Sequence, residues 1–234
     1  MPHAVIVAHG QPSDPDPAEA NLAQFAARVD ALSPQVSVHS ATLAAPGALE
    51  ACLDRLPEDT AIYPLFMARG WFVTSALPKR VGSRKVQILD PLGIDPDLPA
   101  LAAGALQGAM ADRGWVAEET DLVIPAHGSG RSQNPARVAT GFADALALLL
   151  PFRSIRVGFV EQHPSISQAA SGLGEQALCL PFFACTGGHV LDDVPTELTR
   201  AEFKGATLPV IGELPAIQRQ IAAKLTESLG ADPH

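Results

Sequence analysis

The sequence predicts an α/β protein made of two doubly wound units, each with a parallel sheet covered on both faces. Three observations predict it. The 234 residues divide into two similar halves. Each half alternates short β-branched runs with longer Ala/Leu-rich amphipathic stretches. Apolar residues make up 47% and charged residues 18%, enough to bury a core and too apolar for disorder. Aromatics are only 5%, so the core has to be built from Ala, Leu, Val and Ile.

The repeat sets the organisation. Val5-Ile6-Val7-Ala8-His9-Gly10 returns as Leu122-Val123-Ile124-Pro125-Ala126-His127-Gly128, with His127 lying 118 residues after His9 (127 − 9). Tyr63-Pro64-Leu65-Phe66-Met67-Ala68-Arg69-Gly70 returns as Leu180-Pro181-Phe182-Phe183-Ala184-Cys185-Thr186-Gly187, a spacing of 117 (187 − 70). Pro78 matches Pro195 at the same spacing, and Pro91-Leu92-Gly93 is echoed by Val210-Ile211-Gly212. The expected units are therefore residues 1–117 and 118–234, each of ordinary domain size.

Within the first unit the strand runs are 4–8, 36–41, 61–67 and 86–90. The amphipathic stretches near 17–32, 46–56, 72–82 and 97–113 read as helices. The second unit gives strands at 121–126, 155–160, 177–183 and 206–211, and helices near 134–149, 164–176, 195–203 and 214–229. Continuous apolar strands alternating with helices mean parallel pairing through right-handed crossovers, in a flavodoxin-like or Rossmann-like arrangement. Ligands of such sheets sit off the carboxyl ends of the strands. His9, His127 and the loops 67–72 and 184–189 all fall there.

Several function classes are excluded. The net charge is −9, spread almost evenly over the halves, with no basic patch for a nucleic acid. No apolar stretch is long enough for a membrane helix, and the opening MPHAVIVAHG reads as a strand rather than a leader. Cys52, Cys179 and Cys185 form no C-x-x-C pair, which fits a reducing, cytoplasmic setting. There is no P-loop, no G-x-S-x-G elbow and no H-E-x-x-H. Gly172-Leu173-Gly174-Glu175-Gln176-Ala177 fits G-x-G-x-x-A but precedes a strand instead of following one.

One constellation remains. Gly187-Gly188-His189-Val190-Leu191-Asp192-Asp193-Val194-Pro195 reads G-x-H-x-x-x-D-V-P. His127-Gly128-Ser129 stands at the first strand end of the same half, and Phe159-Val160-Glu161 followed by Pro164-Ser165-Ile166 at the second. Together these resemble the class II tetrapyrrole metal chelatases, and more narrowly the sirohydrochlorin cobaltochelatase and ferrochelatase family in its two-repeat form. The resemblance covers both halves. It implies a chelatase-like fold and ATP-independent insertion of Fe²⁺ or Co²⁺ into sirohydrochlorin, the metal a substrate rather than a resident cofactor; iron is favoured because the chain has no His-rich or Cys-rich metal-handling extension. It further implies His127 and His189 as metal ligands and, with Glu161, as catalytic groups. The loop Ala184, Cys185, Thr186, Gly187, Gly188, with His189 and Glu161, would contact the macrocycle. Ser129 and Arg131 are further substrate contacts, although Ser129 alternatively caps the following helix. The duplication supplies two units in one chain, so a monomer suffices.

The chemistry agrees. Neutral imidazole suits Fe, Co, Ni and Zn and also takes up protons. Glu161 could accept pyrrole protons or orient a histidine. Asp193 either caps the helix entered at Pro195 or touches substrate. Arg69, Lys79, Arg80, Arg84 and Lys85 are candidate partners for substrate carboxylates, beside Arg131. In the first unit Phe72 stands where His189 stands, Ala76 where Asp193 stands, and Thr42 is placed opposite Glu161. The working site is therefore expected in the second unit, with His9 a turn residue and Trp71 and Phe72 a cleft wall. His3, His39, His163 and His234 carry no assignment. The rival class is a non-catalytic tetrapyrrole or metal carrier that kept the fold, since the first unit shows that site residues are lost in this chain.

Overall fold

The computed structural model describes residues 1–230. Two four-stranded sheets, all parallel, carry the fold. In the first, β1 (His3–Ala8), β2 (Ser37–Thr42), β3 (Ala61–Pro64) and β4 (Gln87–Ile88) lie in the order β2-β1-β3-β4. In the second, β5 (Asp121–Ala126), β6 (Ser154–Phe159), β7 (Ala177–Cys179) and β8 (Ala206–Thr207) lie in the order β6-β5-β7-β8. The chain leaves the central strand to one side and returns on the other, so each sheet has a switch point, between β1 and β3 and between β5 and β7.

The strands form where β-branched residues run without a break. Ala4–Val7 and Leu122–Ile124 are fully buried, as strands covered on both faces must be. The third and fourth strands are shorter than the apolar runs suggest. Pro64 ends β3, and Pro181, without an N–H, interrupts the continuation of β7. Pairing resumes only at an isolated bridge between Ala126 and Phe182.

The helices follow the apolar periodicity. In α1 (Pro15–Ala31) the buried positions are Leu22, Phe25, Ala26 and Val29; in α5 (Asn134–Leu149) they are Ala139, Phe142, Ala143 and Leu146. Proline near the amino end starts both, where no N–H partner is lost. Helix α2 (Ala48–Leu53) is short, and α6 (Ile166–Ala170) is shorter than the stretch 164–176. A Ser165–Gln168 capping box starts α6, and the extended Ser171 followed by Gly172 at φ 73° stops it. The expected helices near 72–82 and 195–203 each divide in two. A π-helical turn (Phe72–Ala76, His189–Asp193) leads into α3 (Leu77–Val81) and α7 (Val194–Arg200). Matching π turns 117 residues apart (189 − 72) show the repeat in three dimensions.

The compact units divide differently from the repeat. The first comprises Met1–Asp95 together with the chain from Ile217, and the second Pro96–Ala216. Helix α4 (Leu98–Ala111) packs against α5 in the second compact unit, and most of α8 (Pro215–Gly230) belongs to the first, so the contacts cross the repeat boundary between 117 and 118. Asp95 fastens α8 there, pairing with Lys224 at 3.4 Å and accepting from Gln220 at 3.4 Å. Sequence similarity follows descent, whereas a helix joins the sheet that buries its apolar face. Among the described residues no helix is long and apolar enough to cross a membrane.

At the amino end of β5, buried Asp121 accepts from Arg153 Nε at 3.1 Å and from Ser154 Oγ at 2.7 Å. The Arg153 bonds, with Ser154 adding to them, hold its carboxyl below the usual carboxylate range. A depressed carboxyl stabilises the fold above its unfolded value near pH 4, and the contribution is lost as pH falls through the lower folded value. Asp121→Ala should cost about 1–3 kcal/mol at neutral pH. Denaturant melts at pH 7 and pH 3 should show the gap between variant and parent narrowing with acid.

Candidate active site at the carboxyl ends of the second sheet

His127 is the first residue beyond β5, at the switch point. The chain turns there through Gly128 at φ 68°, a conformation that strains any residue with a Cβ, and a Cβ would also lie 2.8 Å from Gln162 Cγ. The turn is clamped from β6. Val160 N–H donates to Ala126 O and Glu161 N–H to His127 O, both at 3.0 Å, while Gln162 Oε1 accepts from Ser129 N–H at 2.9 Å. Gln162 is a site-building residue that sequence reasoning missed, because no spacing rule connects it to the turn it braces.

His189 comes from the loop after β7 and opens the π turn. That loop is fixed from behind. Gly212 N–H donates to Phe183 O at 3.1 Å, and a Cβ on Gly212 would stand 1.8 Å from Ala184 O, so only glycine fits. Glu213 Oε1 accepts from Thr186 N–H at 2.9 Å. The row of loop donors expected over Ala184, Cys185, Thr186, Gly187 and Gly188 is thereby shortened by one. Gly187 opens onto empty space, Gly188 adopts an ordinary helical conformation (φ −50°), and Ala184 is buried. Burial pushes the Cys185 thiol up to about 11, so it is not a thiolate at neutral pH.

The two imidazoles meet. Their Nε2 atoms are 3.1 Å apart and the rings stand at 90° with centroids 4.6 Å apart. His127 Nδ1 is 2.9 Å from Gly128 O, and His189 Nδ1 is 2.7 Å from Asp193 Oδ2. A carbonyl and a carboxylate only accept, so each Nδ1 donates, and the two Nε2 atoms are turned toward each other within hydrogen-bond distance. Asp193 makes no helix-capping bond; it orients His189 across one turn. The signal for this was the i, i+4 spacing of His189 and Asp193 on a helical segment. Glu161 borders the pair, its Oε2 3.9 Å from His127 Nδ1, and is half-exposed. Its expected alternative role of orienting a histidine falls to Gly128 O and Asp193. Among the described residues no cluster of three or more His, Cys, Asp or Glu side chains could hold a metal. The two imidazoles stand as a pair, without a third side chain of that kind beside them that completes a metal cluster.

The CbiX family profile matches residues 3–108 and 121–234. The chain belongs to the CbiX family. A solved CbiX, the terminal enzyme for biosynthesis of siroheme in denitrifying bacteria, is 45% identical, with 99% of this chain and 100% of that chain covered and a TM-score of 0.85. SirB from Bacillus subtilis with Fe³⁺ is 18% identical over 98% of this chain and 96% of that one, with a TM-score of 0.73. A multi-domain Deinococcus radiodurans protein with structural similarity to chelatases is 19% identical, with a TM-score of 0.73, over 100% of this chain and 56% of its own. The last two share the fold. No curated protein matches the chain.

The remaining expected residues of this CbiX-family chain fall as follows. Ser129 Oγ accepts from Arg131 N–H at 3.1 Å and Ser132 N–H at 3.2 Å, so it holds its own turn, and Arg131 is exposed on that turn. Arg69 pairs with Asp90, Arg80 with Glu50, Arg84 with Asp54, and Lys85 with Glu58 at 3.8 Å, the last two side chains both exposed. In the first unit the counterpart of Glu161 is Ala44, not Thr42. Ala44 N–H donates to His9 O at 2.8 Å as Glu161 N–H does to His127 O, and Thr42 pairs with Ala8 as Phe159 pairs with Ala126. His3 and His39 bond each other at 3.1 Å, His163 bonds Gln168 at 3.0 Å, and His234 lies outside the described residues.

Asp193→Asn should leave the fold unchanged and weaken metal binding about 10–100-fold, the usual effect of losing a carboxylate behind a ligating histidine. Titration with Co²⁺, followed by its visible absorption, reads the change.

Proposed function

We propose that the chain inserts a divalent metal, Fe²⁺ in preference to Co²⁺, into sirohydrochlorin without ATP. The observation that carries this reading is the facing pair of Nε2 atoms on His127 and His189. A divalent ion about 2.0–2.1 Å from each nitrogen, with the nitrogens 3.1 Å apart, subtends about 95–100°. That is a cis pair of coordination positions, and it leaves the opposite side of the ion for incoming pyrrole nitrogens. Two imidazoles hold a metal firmly enough to present it and weakly enough to release it. A thiolate-rich site would retain it.

Insertion forms the bonds from metal to the macrocycle's nitrogens and breaks the two to His127 and His189. Two pyrrole protons leave. Glu161, half-exposed beside the pair, is the carboxylate placed to receive them and pass them to water. The freed imidazoles are further acceptors. The open loop at Gly187 lets a flat ring approach. Iron is favoured because the 45% identical relative is the terminal enzyme of siroheme biosynthesis. The reading includes no resident cofactor, a single chain as the working unit, and a reducing, cytoplasmic setting supported by three free cysteines.

The test is anaerobic metalation of sirohydrochlorin by the purified chain with Fe²⁺ or Co²⁺ and no nucleotide, followed by absorbance. His127→Ala and His189→Ala should each lower the rate at least about 100-fold with circular dichroism unchanged, and His9→Ala far less. A strict ATP requirement, or a greater loss from His9→Ala, overturns the reading. Binding of metal and macrocycle without turnover would identify a carrier.

Protonated imidazole cannot bind metal, so the rate at fixed free metal should fall on acidification.

A further inference from the structure

The first unit keeps the scaffold of the site and replaces its metal donor with rings. His9 ends β1 as His127 ends β5, with its Nδ1 2.7 Å from Gly10 O. The π turn follows at the same place. Phe72 occupies the position of His189, and Trp71 that of Gly188. The His9 and Phe72 rings meet edge to face at 4.2 Å and 65°, much as His127 meets His189. With a phenyl ring as its neighbour, His9 cannot form a chelating pair.

These rings form a cluster that reaches the surface. Phe66 stacks on Phe72 at 6.0 Å and 19°, and Trp71 meets Phe72 at 5.2 Å and 72°. Trp71 is 66% exposed, and it is the one aromatic among the exposed large apolar side chains of the described residues. A Cβ on neighbouring Gly70 would meet nothing within 4 Å. Tryptophan has the largest apolar surface of any side chain, and leaving it in water forgoes a large burial. It stands beyond β3, beside the switch point of the first sheet, where parallel sheets take their ligands. The substitution therefore exchanges a metal donor for an exposed π surface at a ligand-binding edge.

We infer that the exposed Trp71 indole, held edge to face by Phe72, forms a platform on which the face of a flat tetrapyrrole macrocycle stacks, without contact to metal. This rests on the tetrapyrrole reading given above. Aromatic stacking of a planar heterocycle is typically worth about tenfold or more in affinity. It is supplied by a ring, and an aliphatic side chain of similar volume does not replace it.

The test uses the full chain and metal-free sirohydrochlorin, with the dissociation constant read from the macrocycle's visible absorbance. Trp71→Leu should weaken binding about tenfold, and Trp71→Phe should recover most of the loss. Co²⁺ affinity without macrocycle should be the same in all three proteins. Unchanged macrocycle affinity in Trp71→Leu, equal weakening in both variants, or a parallel loss of Co²⁺ affinity each overturns the platform. Metalation by the wild type together with normal binding by Trp71→Leu removes the platform alone. Ring-dependent binding by a wild type that never metalates removes the chelatase reading alone.

Discussion

Two acceptor-only groups decide what the second unit can do. Gly128 O and the Asp193 carboxylate each take the Nδ1 hydrogen of a histidine, and so turn both Nε2 atoms into one gap of 3.1 Å. The backbone supplies the rest. The clamp of Glu161 and Gln162 on the His127 turn, and of Gly212 and Glu213 on the loop before His189, prevents the rings from relaxing apart. Side chains on separate strand ends become a facing pair because each is fastened to rigid main chain.

The repeat was legible because its strongest signals are strand ends. His-Gly turns and the Pro-Phe segments recur with little drift, and these are the places where side chains are least exchangeable. Register on the second strand was not legible. Val38 and Val157 are both β-branched residues of edge strands without a turn motif, and matching them displaces Glu161 from Ala44 to Thr42. Only the hydrogen bonds to His9 and His127 fix the correspondence. The basic residues 79–85 read equally well as substrate partners or as salt bridges, since their acids lie about thirty residues away on other elements. The destination of α4 and α8 was hidden for a related reason: an amphipathic face states that it will be buried and does not state against which sheet.

Divergence between the units is narrow and chemical. The π turn, the glycine pressed against the loop carbonyl (Gly93 against Met67, Gly212 against Ala184) and the pinned strand-end histidine are common to both. What differs is what the turn displays: Gly188-His189-x-x-x-Asp193 in one, Trp71-Phe72-x-x-x-Ala76 in the other. One scaffold thus presents nitrogen donors in one copy and rings in the other, at the same depth behind the strand ends.

The crossing of α4 and α8 also sets an order of events for the nascent chain. The first unit has α1, α2 and α3 but lacks α8 until residues from Ile217 onward have been made, since the contact of Gln220 with Asp95 spans 125 positions. Its four strands leave the ribosome early and wait with one flank uncovered while the whole second unit is synthesised. The second unit, whose chain from Pro96 to Ala216 is continuous, can close as it emerges. Although it is encoded later, the half that carries the histidine pair is the one that can finish first, and the earlier-emerging half is sealed only by α8.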